Sequence, residues 1–175
     1  MIDLNSLNIK IFLDTANLDT IKSSINQYPF IKGFTTNPSL MHKEGIKDYE
    51  AYCKKALEVS SNLPISFEVF SDNLSDMEKE ARIINSWGGK SYTKIPISNT
   101  KGEITSNVIK NLTKDGIKVN VTAIFTVEQV SKIIDCFEAE TPSIISVFAG
   151  RIADSGIDPI DTMLKCSEII SKKKN

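Results

Sequence analysis

Ser91-Tyr92-Thr93-Lys94-Ile95-Pro96 is a short run of strand-favouring residues with one lysine near its end and a proline that stops it. A lysine held at the mouth of a parallel sheet is partly desolvated, and desolvation favours the neutral amine, which attacks carbonyl carbon. Lys94 is therefore a Schiff-base candidate. A strand-end lysine that merely snorkels into water has the same local sequence. The hexapeptide settles the fold only if it is one of a series of parallel strands, so the segments on either side decide its meaning.

Working outward, the stretch is flanked on both sides by helical patterns. Met77, Ala81 and Ile84 lead up to Gly88-Gly89, and Ile104, Val108, Ile109 and Leu112 run to Gly116. The alternation continues upstream. Residues 9–13 and 64–69 have strand character, as does Phe34-Thr35-Thr36. Asn17 suits the N-cap of a helix bearing Leu18, Ile21 and Ile25. Asn37-Pro38-Ser39 breaks the chain before a helix bearing Ile46, Tyr49, Cys53, Ala56 and Leu57, and Ser71-Asp72 is placed to cap the helix after the third strand. Downstream, residues 117–122 and 143–148 are strands. Val127, Val130, Ile133, Ile134 and Phe137 mark one helix, and a last one from about Pro159 to Ser171 carries Ile160, Met163, Leu164 and Ile170 on one face.

Six β-α units in strict alternation imply a parallel sheet covered by helices, either doubly wound or a (β/α)8 barrel. No linker divides the chain, so residues 1–175 are expected to form a single domain. A dinucleotide-binding sheet wants G-x-G-x-x-G after its first strand, and Asp14-Thr15-Ala16-Asn17-Leu18-Asp19 contains no glycine. The polar residues collect instead at the C-terminal ends of successive strands: Asp14, Thr36-Asn37, Glu68, Lys94, Asn120 with Thr122, and Ser146 followed by Arg151. In a barrel these ends share one mouth.

Composition narrows the function. With 21 basic and 22 acidic residues and a net charge of -1, the chain has no global footprint for nucleic acid or an anionic membrane. Cys53, Cys136 and Cys166 are widely spaced and suggest neither a disulfide framework nor a zinc site. The polar N-terminus lacks the plan of a signal peptide, and no apolar run approaches membrane-spanning length, so a cytoplasmic protein is expected. His42 and Trp87 read as surface and packing residues, and Lys172-Lys173-Lys174 as a solvated helix end that suits the helix dipole.

Leu13-Asp14-Thr15, Thr35-Thr36-Asn37-Pro38-Ser39, Thr93-Lys94-Ile95-Pro96, Asn120-Val121-Thr122 and the run Ser146-Val147-Phe148-Ala149-Gly150-Arg151-Ile152 together resemble the transaldolase family, more closely its short-chain branch that includes fructose-6-phosphate aldolase. The resemblance covers nearly the whole chain from about residue 9. It implies a barrel aldolase that works through a lysine imine with no cofactor or metal, acts on sugar phosphates, and serves the pentose phosphate pathway. Lys94 would be the nucleophile, and Asp14 the base for the C4 hydroxyl proton, although an Asp at this point can also cap the following helix. Glu68 would act through a water held with Thr122. Asn37, Asn120 and Ser146 would hydrogen-bond the hydroxyls of the bound three-carbon unit beside Thr36, and Arg151 would hold phosphate. A surface salt bridge is the simpler use of that arginine, and a turn the simpler use of Asn37. Phe148 takes the place of the aldolase branch's tyrosine, and Glu68 that of its glutamine, which points to transfer rather than free cleavage.

The family barrel has eight units, and this sequence carries six. The expectation is an incomplete barrel, read as a fragment or as one completed by a partner, because two unpaired apolar edge strands invite pairing with another chain, a homo-oligomer included. An inactive sugar-phosphate-binding fragment and a fructose-6-phosphate aldolase-like lyase are the alternatives to a transaldolase.

Overall fold

In the computed structural model, which describes residues 8–173, strands and helices alternate: β1 (Ile11–Asp14), α1 (Leu18–Gln27), β2 (Ile31–Thr35), α2 (Pro38–Lys43), α3 (Tyr49–Val59), β3 (Ile65–Glu68), α4 (Leu74–Ser86), β4 (Ser91–Pro96), α5 (Ser106–Lys114), β5 (Val119–Ile124), α6 (Val127–Ile133), β6 (Ile144–Val147), α7 (Ala149–Asp154) and α8 (Ile160–Lys173). The strands hydrogen-bond in the order β1-β2-β3-β4-β5-β6. β2 pairs in parallel with β1 and β3, and β5 pairs in parallel with β4 and β6. A doubly wound sheet has its first strand in the interior of the order. Here it stands at an edge, as sequential β-α units of a barrel require. The fold is α/β of TIM-barrel type, incomplete, with six β-α units among the described residues.

The residues gather into two compact units. One runs to Glu68 and takes in Ser86–Tyr92; the other comprises Val69–Asn85 and the chain from Thr93 onward.

In the first unit Ile21, Phe34, Cys53, Ala56, Ile65 and Phe67 are fully buried. Trp87 packs edge-on against Phe67 and Tyr49, at centroid distances of 6.3 and 5.7 Å, so it is the packing residue expected. Gly33 pairs in register with Phe12, whose ring occupies the place a side chain would take; a Cβ there would also lie 2.8 Å from the Pro64 carbonyl oxygen. The single helix expected after Pro38 is two. Asn37 and Pro38 start a helix rather than break one, because Asn is a good N-cap and Pro fits the first turn. Gly45, at φ +68°, follows the end of α2, and Asp48 caps α3.

In the second unit Ala81, Ile95, Ile109, Leu112, Val119, Val121, Ile124, Val130 and Ile133 are fully buried. Asn73, not Ser71-Asp72, caps α4: its Oδ1 accepts from Ser75 N–H at 2.9 Å. Asp72 is engaged elsewhere, accepting from the N–H and hydroxyl of Thr100 at 2.7 Å each. The helix expected through Phe137 gives way after Ile133 to one 3-10 turn, Ile134–Cys136. Cys166 is the buried residue of α8. Of the apolar row expected on its face, Ile170 is half-buried, but the rest is solvent-exposed: Ile160 is 60%, Met163 43% and Leu164 58% accessible, and the preceding Ile157 60%. Lys173 pairs with Asp135 at 3.0 Å, while Lys174 and the N-terminal residues 1–7 lie outside the described residues. Among those described, no helix is long and apolar enough to cross a membrane.

Candidate active site

Successive strand residues face opposite sides of a sheet, so one contact per strand assigns the faces. In the first unit Phe67 turns to Trp87, leaving half-buried Glu68 on the other face of β3, with its backbone carbonyl held by the Tyr49 hydroxyl at 2.7 Å. Asp14 ends β1 in register with Thr35. Its Oδ1 accepts from the Thr35 hydroxyl at 2.7 Å and its Oδ2 from Asn37 Nδ2 at 3.1 Å. Asp14 does not cap α1. Asn17 does that, its Oδ1 accepting from Thr20 N–H at 2.9 Å. Asn37 serves two purposes: its Oδ1 accepts from Leu40 N–H at 2.9 Å as the cap of α2, and that bond leaves the amide NH2 for Asp14. Thr36 is fully buried and its hydroxyl donates to the Ser66 carbonyl at 3.0 Å, so it ties β2 to β3. His42 is exposed.

In the second unit the Thr93 hydroxyl donates to the Ala81 carbonyl of α4 at 3.2 Å, which puts Thr93 and Ile95 on the helix-covered face and Lys94 on the opposite one. Lys94 is 8% exposed. Across the strand pair it is in register with Asn120, and Pro96 with Thr122, so Asn120 and Thr122 share its face. Asn120 is 1% exposed and its Oδ1 accepts from the Ser146 hydroxyl at 2.8 Å. Thr122 is also 1% exposed, and its hydroxyl has no hydrogen-bond partner among the described residues. A buried hydroxyl without a partner is a costly arrangement, and it is met here on the face that carries the lysine.

The loops that follow these strands are fixed by side chains that sequence reasoning passed over. Glu80 accepts from the N–H groups of Phe70 and Ser71, at 2.7 and 3.0 Å, and from the Ser71 hydroxyl. Burial raises this carboxyl group, but the hydrogen bonds outweigh it and hold Glu80 below its ordinary value. Asn99, 8% exposed, accepts from the N–H groups of Lys101 and Glu103 and so shapes the loop after β4.

Between Val121, paired with Ile145, and Ile124, paired with Val147, β5 carries one more residue than β6. Ala123 lies in this bulge at φ +58°, the left-handed region that residues with a Cβ rarely adopt. Nothing in the sequence announces it. Past the end of β6, Phe148 meets Phe125 edge-on, with ring centroids 5.7 Å apart and planes at 69°. Arg151 sits on α7 at the rim of an open groove of about 400 Å3 lined by Val147–Arg151 and Asp154. It pairs with Asp154 at 3.5 Å, both side chains largely exposed, which is the surface salt bridge that the sequence allowed. Among the described residues no cluster of three or more His, Cys, Asp or Glu side chains is arranged for a metal ion.

The family model described as Transaldolase/Fructose-6-phosphate aldolase matches residues 11–175. A protein named "Probable transaldolase" from Streptococcus equi subsp. zooepidemicus (strain MGCS10565) is 40% identical over 151 residues, covering 86% of this chain and 65% of that protein. Another of the same name, from Streptococcus pyogenes serotype M5 (strain Manfredo), is 38% identical over 162 residues, covering 93% and 71%. The chain thus spans about two thirds of the length of these curated relatives. Among solved structures, dihydrodipicolinate synthase from Rhodopseudomonas palustris aligns with a TM-score of 0.49 at 12% identity, over 73% of this chain and 53% of that one.

Proposed function

Because the chain belongs to the transaldolase/fructose-6-phosphate aldolase family, we propose that it transfers a dihydroxyacetone unit from a ketose phosphate to an aldose phosphate through an imine on Lys94. The observation that carries this reading is the burial of Lys94 in register with Asn120, which is itself buried and bonded to Ser146. A lysine held in this way meets a carbonyl carbon with its amine positioned and with hydroxyl-binding groups alongside.

The Lys94 amine adds to the C2 ketone of the donor, and the carbinolamine loses water to give an iminium. Asp14, oriented by Thr35 and Asn37, takes the C4 hydroxyl proton as the C3–C4 bond breaks. An aldose phosphate leaves, and the electron pair remains on Lys94 as a three-carbon enamine. The enamine carbon attacks the acceptor's aldehyde carbon, whose oxygen recovers the proton, and water hydrolyses the new iminium. Glu68 moves protons for the dehydration and hydrolysis steps, and Thr122 holds a water. Asn120 and Ser146 hold hydroxyls of the three-carbon unit, and Arg151 pairs with phosphate. Phe148 offers no proton and keeps the enamine dry, so transfer outpaces release of free dihydroxyacetone.

The test is borohydride reduction in the presence of fructose 6-phosphate, followed by peptide mass spectrometry, with a parallel assay of sedoheptulose 7-phosphate formed on adding erythrose 4-phosphate. A reduced three-carbon adduct on Lys94 together with the new ketose phosphate supports the reading. An unmodified Lys94 removes the imine mechanism, and release of dihydroxyacetone as fast as transfer replaces the transferase with a lyase.

A further inference from the structure

Phe125 has no part in the reaction as derived above, although it is a large aromatic side chain, 42% exposed, just past the C-terminal end of β5. It is there because of the Ala123 bulge. Asn120 and Thr122 face the Lys94 side of the sheet, and strict alternation would next send Ile124 to that side and Phe125 to the helix-covered side. The extra residue reverses this. Ile124 pairs with Val147 on the covered face and is fully buried, so Phe125 emerges on the side shared by Asn120, Ser146 and Phe148. Both partners of the ring pair are tied at the backbone. Phe125 N–H donates at 2.7 Å to Gln129 Oε1, the oxygen that also accepts from Thr126 N–H in the capping box that begins α6, and Phe148 N–H donates to the Ile124 carbonyl at 2.8 Å. With its backbone anchored, the Phe148 ring keeps its orientation only if something touches its face or edge, and the Phe125 ring does so in the favourable T-shaped geometry.

We propose that Phe125 is a positioning residue that fixes the Phe148 ring over the enamine and thereby sets the partition between transfer and release. This rests on the reading of Lys94 as the imine-forming lysine. The enamine has two fates. Its carbon forms a bond to the acceptor's aldehyde carbon, whose oxygen takes a proton, or it takes a proton itself, with water as the source. In both cases water then hydrolyses the iminium and frees the Lys94 amine. A Phe148 ring that swings admits water to the enamine and raises the second fate without altering the first chemically.

The experiment uses the full 175-residue chain and measures sedoheptulose 7-phosphate against free dihydroxyacetone, from fructose 6-phosphate with erythrose 4-phosphate. Both are expressed per Lys94 labelled by borohydride, so any loss of folded protein cancels. Phe125→Leu should lower the transfer-to-release ratio about two- to twelvefold, the range that an edge-to-face ring pair is worth, while Phe125→Trp, which restores an aromatic edge, should recover it. An unchanged ratio in Phe125→Leu overturns the inference, as does an equal loss in the Leu and Trp variants, which would mark simple space-filling. A native protein whose Lys94 labels but whose ratio ignores Phe125 leaves the proposed function standing and removes only this role. Failure of Lys94 to label in the native protein removes both.

Discussion

Asn37 reaches Asp14 only because its own carbonyl oxygen is engaged as the cap of α2, which turns the amide NH2 onto Asp14 Oδ2 at 3.1 Å. Helix capping and carboxylate orientation are thus one rotamer. Asn37→Ala should lose both, with about 1 kcal/mol of stability from the cap. Asn37→Ser should restore the cap without the donor to Asp14. Thermal melts and transfer assays on the two variants separate the effects: Ser recovers the melting temperature but not the turnover. Full activity in Asn37→Ser would show that Asp14 needs no second donor.

Thr122→Val removes a buried hydroxyl that has no partner among the described residues and keeps nearly the same shape. Stability should stay level or rise, by about 0–1 kcal/mol, because a desolvated polar group is replaced by an apolar one. Transfer should fall, by about tenfold or more, if that hydroxyl holds a water used in the dehydration and hydrolysis steps. Chemical denaturation reads the first outcome and the coupled assay the second; a large loss of stability would mean that the hydroxyl is satisfied.

Ala123, at φ +58°, sits where a Cβ is disfavoured by about 1–2 kcal/mol. Ala123→Gly should raise the melting temperature slightly, the gain being trimmed by glycine's greater freedom in the unfolded chain. Ala123→Val should lower it distinctly, since a β-branched residue tolerates this conformation worst. Equal melting temperatures for the two variants would remove the strain.

Gly33→Ala should destabilise by about 1–3 kcal/mol, as overpacking does in a tight strand pair, because the new methyl meets the Phe12 ring and the Pro64 carbonyl. Adding Phe12→Leu should return part of the loss. Strict additivity in the double-mutant cycle, read by urea denaturation, would show that the two side chains do not compete for the same space.

Glu80 provides a pH dependence with a definite sign. Its carboxyl is held below the ordinary 4.5 by the hydrogen bonds from Ser71 and Phe70, against the opposing effect of burial. A depressed carboxylate stabilises the fold fully above the unfolded value, and that contribution disappears as pH falls through the folded one. Native protein should therefore lose stability between about pH 6 and about pH 3, and Glu80→Gln should lose less over the same interval. Parallel urea titrations at the two pH values decide it.

The alternation of strands and helices was legible because each helix carries its apolar residues at helical spacing and each strand is bounded by turn formers. Asp14 and Asn37 could be paired as candidates from their places at neighbouring strand ends. What the sequence hid was set at long range. Asp72 looks like the better cap for α4, but Thr100, far along the chain, occupies it and leaves the task to Asn73. The start of α2 was in principle visible, since Asn followed by Pro is as much a helix opening as a break. Ala123 carries no sign of its bulge because alanine is not a turn residue, and Phe125 could not be placed on the site's side without that extra residue. α7 is six residues long, too short to display a period.

The exposed row Ile157, Ile160, Met163 and Leu164 has a colloidal consequence. A net charge of -1 provides almost no mutual repulsion near neutral pH, so short-range attraction between such rows is opposed by little. Solubility should be set by this one helix rather than by the stability of the fold. Light scattering should show self-association growing with sulfate, which strengthens apolar contact, and Leu164→Lys should suppress it while leaving the melting temperature where it was.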